Sequence, residues 1–294
     1  MDKRVQFDFA LTFSNGGGLQ GQDFRLDLVG AEISDAALAD YIIADLRLLM
    51  VDQVQILNKR IIEEAHKRGA SPAARLYVDL SHTIHDGLVT YKGLPAPIIC
   101  DYLSREESRS RYAPGTEFQI GKLEMVSNTG TYVDVPFHRY AHGHDLAQVH
   151  LERFVDLPAV VIRAPYQSGL AVDVAAFAGA ALRGKAVLVH TGWAEYWNTP
   201  AYYENHPYVT AAAAEYLVEQ GAVLVGIDSH NIDDTRSNTR PVHTTLLAHE
   251  ILICEHLCEL GRLPDTGFTF SAVPPKFSGM GTFPVRAFAR LQGV

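Results

Sequence analysis

A segment near the middle of the chain, SNTGTYVDVPFH from residue 127 to 138, places polar side chains at alternate positions. The polar residues of one parity are Asn128, Tyr132, Asp134 and His138. Because side chains of one parity share a face in an extended chain, the spacing predicts a strand whose polar face lines one wall of a pocket. Pro136 cannot donate to a sheet ladder, so we expect the strand to end near it and His138 to lie on the loop beyond. A solvent-facing strand edge would give the same spacing, and the pattern alone leaves both interpretations open.

The composition excludes several classes of protein. A chain of 294 residues with a formal net charge of −9 and no run of basic residues is not expected to bind nucleic acid. No apolar stretch reaches the length of a membrane span, and the N-terminus lacks the apolar core of a signal peptide. The three cysteines are an odd number and favour a reduced chain. We therefore expect a cytoplasmic protein whose partner is a small molecule, with no nucleic acid and no membrane.

The first part of the chain predicts a small α+β extension. Alternating apolar residues on either side of the Gly-rich turn at 14–18 predict a β-hairpin, and Ser34 is a candidate N-cap of a following helix. A second helix is predicted over about 54–67 from apolar residues at helical intervals. The predicted domains are therefore 1–73, a hairpin with helices, and 74–294, the main domain.

In the main domain, strand and helix patterns alternate, which predicts an α/β layer. Predicted strands cover 76–82, 118–125, 159–162, 186–193 and 222–228, and predicted helices cover 210–220 and 246–260. The charged segment 104–114 has no apolar period and predicts a mobile loop. Glu255 falls inside the apolar pattern of the last helix, where a buried carboxylate needs a partner, and a metal ion would be one.

The central segment resembles the signature of a family of metal-dependent hydrolases that includes bacterial kynurenine formamidase and isatin hydrolase. The family signature reads His-x-Gly-Thr-His-x-Asp-x-Pro-x-His, and this chain has Asn128-x-Gly130-Thr131-Tyr132-x-Asp134-x-Pro136-x-His138, with five of the seven fixed positions retained. Further family-like segments lie at 79–82, 190–193, 205–208 and 226–229, so the resemblance covers about three-quarters of the chain. It implies the swivelling β/β/α fold of the cyclases, with a mixed central sheet. It also implies a homodimer or homotetramer.

The resemblance also implies a site. Asp134, His243 and Glu255 occupy the positions of one set of metal ligands in the family, for one divalent ion such as Mn²⁺ or Zn²⁺, and His138 occupies the position of its acid or base. Asn128 and Tyr132 stand where the family has two ligand histidines, so the first of its two metal positions should be disabled. The implied substrate pocket includes His82 and Tyr91, and the aromatic Trp193 is available to line it.

Three functional hypotheses follow. In the first, the protein hydrolyses a small cyclic or aryl amide with one ion at the second metal position. In the second, it is a metal-free cyclase, isomerase or lyase, in which Tyr132 donates a proton, Asn128 holds an oxyanion and His138 is the base. In the third, it is a non-catalytic relative that binds a small ligand or a partner.

Overall fold

The computed structural model describes residues 2–28, 32–64 and 77–291. The chain divides into two compact units, Met1–Ala73 and Ala74–Val294. Within the described part of the chain, no helix combines the length and the apolar character needed to cross a membrane.

The N-terminal unit is a three-stranded antiparallel sheet with one helix among its described residues. Its elements are β1 (Asp2–Phe13), β2 (Gly18–Asp27), α1 (Asp35–Asp45) and β3 (Val51–Glu64), with strand order β2-β1-β3. The predicted hairpin is confirmed, and so is the helix, whose N-cap Ser34 accepts a hydrogen bond from the Ala37 N–H. Alternate residues of β1, among them Phe7 and Phe9, form the apolar core with Leu38 and Ile42 of α1.

The predicted helix over 54–67 is wrong for its described part, because residues up to Glu64 continue β3. This strand pairs with β1 along nearly its whole length. Its β-branched residues, such as Val54, Ile56 and Ile61, fit a pleated surface better than a helix. Pairing with a distant strand thus outweighs a local spacing that was compatible with either element.

The second unit contains the remaining elements. Its strands are β4 (Tyr77–Asp79), β5 (Ile98–Leu103), β6 (Ile120–Glu124), β7 (Tyr132–Asp134), β8 (Leu157–Arg163), β9 (Ala171–Val172), β10 (Ala186–His190), β11 (Tyr208–Val209), β12 (Leu224–Ile227), β13 (Leu252–Glu255), β14 (Phe268–Ser271), β15 (Thr282–Pro284) and β16 (Phe288–Leu291). Its helices are α2 (Arg105–Arg111), α3 (Ala211–Glu219) and α4 (Pro241–Ala248).

A mixed sheet organises this unit, and in the described residues it has nine strands in the order β15-β7-β13-β12-β10-β8-β14-β16-β4. The central strands β8, β10, β12 and β13 are parallel, whereas β7, β15, β14, β16 and β4 join them by antiparallel pairing. The predicted α/β class with a mixed central sheet is confirmed.

Both faces of the central strands are covered by apolar side chains, as expected for parallel strands. Val187 and Val189 of β10 pack into a cluster with helices α3 and α4, whereas Leu188 between them packs into a cluster on the other face. Alternate residues of each continuous apolar run therefore pack into the two clusters on opposite faces of the sheet. This leaves the strand ends and the loops beyond them to carry polar groups.

Two further predictions for this unit are wrong. A helix is predicted over 246–260, but the observed helix α4 ends at Ala248. The chain then turns at Glu250, whose φ is 57°, and β13 follows. A short apolar run suits a buried strand as well as a helix, and only pairing with β12 and β7 decides between them. The segment predicted as a loop contains α2, which has a capping box of Ser104 and Glu107 in place of an apolar face.

Candidate active site

Strand register brings four polar side chains onto one face of the sheet. In β7, Tyr132 lies opposite Glu255 of β13, and Asp134 lies opposite Thr282 of β15 on its other side. Tyr132 and Asp134 share parity, so their side chains point the same way. Of the polar face predicted from the spacing, Tyr132 and Asp134 are therefore on one face of the strand, and both are buried in the interior with Glu255 and Thr282. Asn128 and His138 lie outside this strand, Asn128 in a bend before it and His138 in the short 3-10 turn Pro136–His138 after it.

Asp134, His138 and His243 form the one group in the described residues whose ligand atoms all lie within 4.8 Å of one another. Asp134 Oδ2 is 3.6 Å from His243 Nε2, and Asp134 Oδ1 is 3.6 Å from His138 Nδ1. Asp134 Oδ2 is buried and has no hydrogen-bond partner among the described residues. Burial acts to raise the pKa of Asp134, but His138 and His243 together hold it below its usual value.

His243 is oriented by a second carboxylate. Its Nδ1 lies 2.6 Å from Asp233 Oδ2, and Asp233 also accepts the backbone N–H groups of Val242 and His243 at the start of α4. A histidine held this way directs Nε2 toward Asp134, an arrangement that metal-binding histidines commonly have. Burial acts to lower the pKa of His243, but the carboxylates of Asp134, Asp233 and Glu255 raise it to about 10. His243 is thus protonated near neutral pH, and a metal ion that binds its Nε2 would have to displace the proton from that nitrogen.

Glu255 is bonded to the phenol of Tyr132. The Tyr132 hydroxyl donates to Glu255 Oε2 at 2.5 Å, and the Ile232 N–H donates to Glu255 Oε1 at 2.7 Å. Burial raises the pKa of Glu255 to about 7, against the lowering effect of His243 and these two donors. Burial and the carboxylates of Glu255 and Asp134 raise the pKa of Tyr132 well above its usual value, so Tyr132 is a neutral phenol.

These contacts bear on the predicted ligand set. Asp134 and His243 are brought together, and Glu255 Oε1 lies 3.7 Å from His243 Nε2. Both oxygens of Glu255 already accept hydrogen bonds, however, and Glu255 is outside the convergent group. His138, predicted as acid or base, is inside it. Which of the two is the third ligand stays a prediction.

Thr282 holds His138 in place. Its hydroxyl donates to Asp134 Oδ1, which can only accept when ionised, and lies 2.7 Å from His138 Nδ1. Since the hydroxyl has one proton, Nδ1 of His138 must donate to it, which leaves Nε2 with a free lone pair. Gly281 permits this contact, because a Cβ there would lie 2.2 Å from the backbone nitrogen of His138.

We expect Thr282→Val to lower catalytic activity about 10- to 100-fold, because the tautomer and orientation of His138 would no longer be fixed. Thr282→Ser keeps the hydroxyl and should restore most of the activity. Nitrogen-15 NMR of the imidazole should show Nδ1 protonation of His138 in the wild type and in the serine variant, and a tautomer mixture in the valine variant. An unchanged tautomer in Thr282→Val would contradict this assignment.

A cavity of about 330 Å³ opens onto this cluster. It is lined by Tyr91, Leu94, Asn128, Tyr132, His138, Arg139, Asn231, Arg240, His243 and Glu255. Of the predicted pocket residues, Tyr91 lines it, whereas His82 and Trp193 are not among the lining residues. His82 stacks on Trp197 with ring centroids 4.0 Å apart, and the Trp193 indole donates to the Tyr202 carbonyl.

Sequence reasoning missed several residues of the site. Asp233, Thr282, Asn231 and the two arginines Arg139 and Arg240 carry no local pattern that separates them from ordinary loop residues. Asp233 and Thr282 reach the site through the ends of distant elements, which only the tertiary fold brings together. The sequence offered one indication. Asp233 and Arg240 lie in a segment without apolar periodicity, which is typical of a loop, and loops often carry functional residues.

The residues present fit a divalent ion. Histidine nitrogens and carboxylate oxygens around Zn²⁺ lie about 3.4 Å from one another when each is about 2.1 Å from a tetrahedral metal. The 3.6 Å between Asp134 Oδ2 and His243 Nε2 is close to this spacing, and His138 offers Nε2, because its Nδ1 donates to Thr282. Such an ion would bind Asp134 Oδ2, which is buried and accepts no hydrogen bond within the described part of the chain. One carboxylate and two imidazoles suit Zn²⁺ or Mn²⁺.

The sequence of residues 78–234 matches the profile of the family described as "Putative cyclase". Among curated relatives, kynurenine formamidase of Geobacillus thermodenitrificans (strain NG80-2) is 26% identical over 218 residues, which cover 74% of this chain and 98% of the relative. Kynurenine formamidase of Maricaulis maris (strain MCS10) is 29% identical over 220 residues, covering 72% of this chain and 96% of the relative.

Solved structures show the same fold. Isatin hydrolase A from Labrenzia aggregata, bound to benzyl benzoate, superposes with a TM-score of 0.64 at 21% identity, covering 74% of this chain and 94% of that one. A structure described as a potential metal-dependent hydrolase with cyclase activity superposes with a TM-score of 0.61 at 22% identity, covering 74% of this chain and 98% of that one.

Proposed function

The chain belongs to the cyclase family of hydrolases, and from this premise we propose that it hydrolyses the C–N bond of a small cyclic or aryl amide with the help of one divalent ion. The curated relatives are kynurenine formamidases and structural neighbours are isatin hydrolases, which supports a small aryl amide as the substrate class. The observation that carries the proposal is the buried Asp134 Oδ2, which lies 3.6 Å from His243 Nε2 and has no hydrogen-bond partner among the residues that the structure describes.

In this proposal Asp134, His138 and His243 hold the ion. The ion would polarise the substrate carbonyl and supply hydroxide from water near neutral pH. The contact of Asp233 with His243 Nδ1 would leave the lone pair of His243 Nε2 available to the ion, and the contact of Thr282 with His138 Nδ1 would leave that of His138 Nε2. This set differs from the one implied by the family resemblance, in which Glu255 is a ligand and His138 the acid or base.

Glu255 and Tyr132 have a different task in the proposal. A carboxylate with a pKa of about 7 accepts protons effectively near neutral pH. The Tyr132 hydroxyl lines the cavity and donates to Glu255, so it holds that carboxylate in position without taking part in the proton transfer itself. Asn128 lines the cavity as well, and its amide can bind the substrate carbonyl oxygen or the amide nitrogen.

A second candidate is the metal-free enzyme, in which His138 is the base, Tyr132 the proton donor and Asn128 the oxyanion donor. It is favoured by one observation: Tyr132, in place of a family ligand histidine, is bonded to Glu255 and neutral. Such chemistry would suit cyclisation, isomerisation or elimination as well as hydrolysis.

Tyr132→Phe separates the two candidates. With a bound ion carrying the chemistry, we expect turnover to fall less than about 10-fold, whereas loss of the proton donor of a metal-free enzyme should cost about 100- to 10,000-fold. The assay is hydrolysis of N-formylkynurenine and of isatin by protein loaded with Mn²⁺ or Zn²⁺, with the metal content measured on the same sample.

Tyr166→Phe is the matched control, because the Tyr166 hydroxyl also bonds a glutamate, Glu195, at 2.5 Å but does not line the cavity. Wild-type protein that turns over either amide equally well with and without a chelator would contradict the metal-dependent function. A severe loss in Tyr132→Phe alone would favour the second candidate.

A further inference from the structure

Two arginines line the cavity beside the candidate metal group. Arg139 follows His138 directly in the chain, and Arg240 precedes the helix α4 that carries His243. Neither guanidinium has a carboxylate within 4.0 Å among the described residues, although Arg163, Arg286 and others in this acidic protein are paired with aspartates. The wall of the cavity thus carries two cationic groups that no described acid neutralises.

Internal hydrogen bonds hold both arginines in position. Arg240 Nη1 donates to the carbonyls of Ser237 and Thr239, each at 2.8 Å. The Thr244 hydroxyl donates to the Arg240 carbonyl at 2.7 Å and accepts from Arg139 Nε at 3.2 Å. Through Thr244 the two residues are tethered to the same turn. Cations positioned in advance lose little conformational freedom when they bind an anion.

Two further lining residues suit the body of an aromatic compound. Tyr91 and Leu94 contribute an aromatic and an aliphatic surface. The Tyr91 ring packs against His230 with centroids 4.5 Å apart, and the Tyr203 hydroxyl donates to the Val89 carbonyl, which ties down the loop before Tyr91. The cavity therefore combines an apolar wall, two fixed cations and the metal group.

We propose that Arg139 and Arg240 form a subsite for a carboxylate of the substrate, so that the substrate class is a small amide with an aromatic body and an anionic group. This inference rests on the proposed function, since it assigns the orientation of the substrate in the same cavity. Guanidinium groups bind carboxylates through paired, charge-assisted hydrogen bonds, which a neutral analogue of the same shape cannot make.

The test is a comparison of two ligands of nearly the same shape, the anion 2-aminobenzoate and the neutral 2-aminobenzamide, titrated calorimetrically at constant ionic strength. We expect wild-type protein to bind the carboxylate at least about tenfold more tightly than the amide. Arg240→Met and Arg139→Met should each reduce this preference about threefold to tenfold with little change for the amide. Arg240→Lys should keep part of the preference for the carboxylate, because lysine retains the positive charge but not the paired donors. Arg262→Met, at an exposed arginine outside the cavity, is the control and should keep the full preference.

Each titration is repeated with and without a chelator, because a metal ion would itself attract a carboxylate. A preference that disappears with the chelator and survives both arginine substitutions would overturn the subsite. Equal affinity of the wild type for the two ligands would overturn it too. These titrations measure binding and need no turnover. Absence of amide hydrolysis would therefore count against the proposed function only, and the carboxylate subsite would still be tested by the affinities of the two ligands. Circular dichroism of the variants identifies any that fail to fold, and Arg240→Lys then serves in place of Arg240→Met.

Discussion

Asp134→Asn is expected to abolish metal binding and hydrolysis. The amide keeps the shape of the side chain but removes the charge that faces His243 and His138. Loss of a residue that only orients a metal ligand weakens binding about 10- to 100-fold, so loss of this ligand should weaken it by more than about 100-fold. Calorimetric titration of the chelator-treated protein with Zn²⁺ and Mn²⁺ measures the effect directly, and activity on isatin should fall in parallel.

Asp228→Asn is the matched control, because Asp228 is also deeply buried and accepts hydrogen bonds from Thr191 and Gly192, yet it is not part of the group formed by Asp134, His138 and His243. Any loss of stability common to buried aspartates appears in both variants, whereas loss of metal binding should appear only in Asp134→Asn. His138→Ala and Glu255→Gln in the same titration identify the third ligand. Wild-type affinity in Asp134→Asn would refute the metal site.

Acid should destabilise the protein through two histidines, the partly buried His82 and the buried His230. Burial lowers the pKa of His82 to about 4, and burial lowers the pKa of His230 to about 3. In the unfolded chain a histidine titrates near 6.5, so between these values and about pH 6.5 the unfolded state binds more protons and stability falls as the pH falls. At pH 5 each of the two groups reduces the free energy of unfolding by about 2 kcal/mol, from 1.36 kcal/mol per pKa unit.

The contribution of one histidine is isolated with His82→Phe, which keeps an aromatic ring against Trp197. Unfolding in urea at pH 7.5 and at pH 5 should show that the variant loses about 2 kcal/mol less than the wild type over this interval. His142→Gln, at an exposed histidine, should behave as the wild type does. Parallel losses in the wild type and in His82→Phe would show that His82 does not stay neutral in the folded protein.

The predicted polar wall illustrates what a local pattern can decide. The alternation in Ser127–His138 requires that Tyr132 and Asp134 share a face in any extended conformation, whatever their neighbours are. The N-terminal hairpin and the helices after Ser34 and Thr210 could also be predicted, because turn glycines and cap side chains act within a few residues.

Local patterns could not decide between helix and strand for segments whose structure depends on pairing with distant strands. The apolar runs in β3 and β13 are compatible with a helix until β1 in one case, and β12 and β7 in the other, supply hydrogen-bonding partners. Glu255 therefore lies on a strand and not on the predicted helix, and its buried carboxylate does have partners. The partner of one oxygen proved to be the Tyr132 hydroxyl.

The sequence by itself determined which side chains of the central strand point together, because that follows from the period of a strand. It also determined the α/β class, because strand and helix patterns alternate along the chain. Only the tertiary structure decided that His138 joins Asp134 and His243, that Thr282 and Asp233 orient them, and that Arg139 and Arg240 face the same cavity. These contacts join residues that are up to 148 positions apart in the chain. Their distances are set by how strands and loops pack, and no local preference of the chain encodes them.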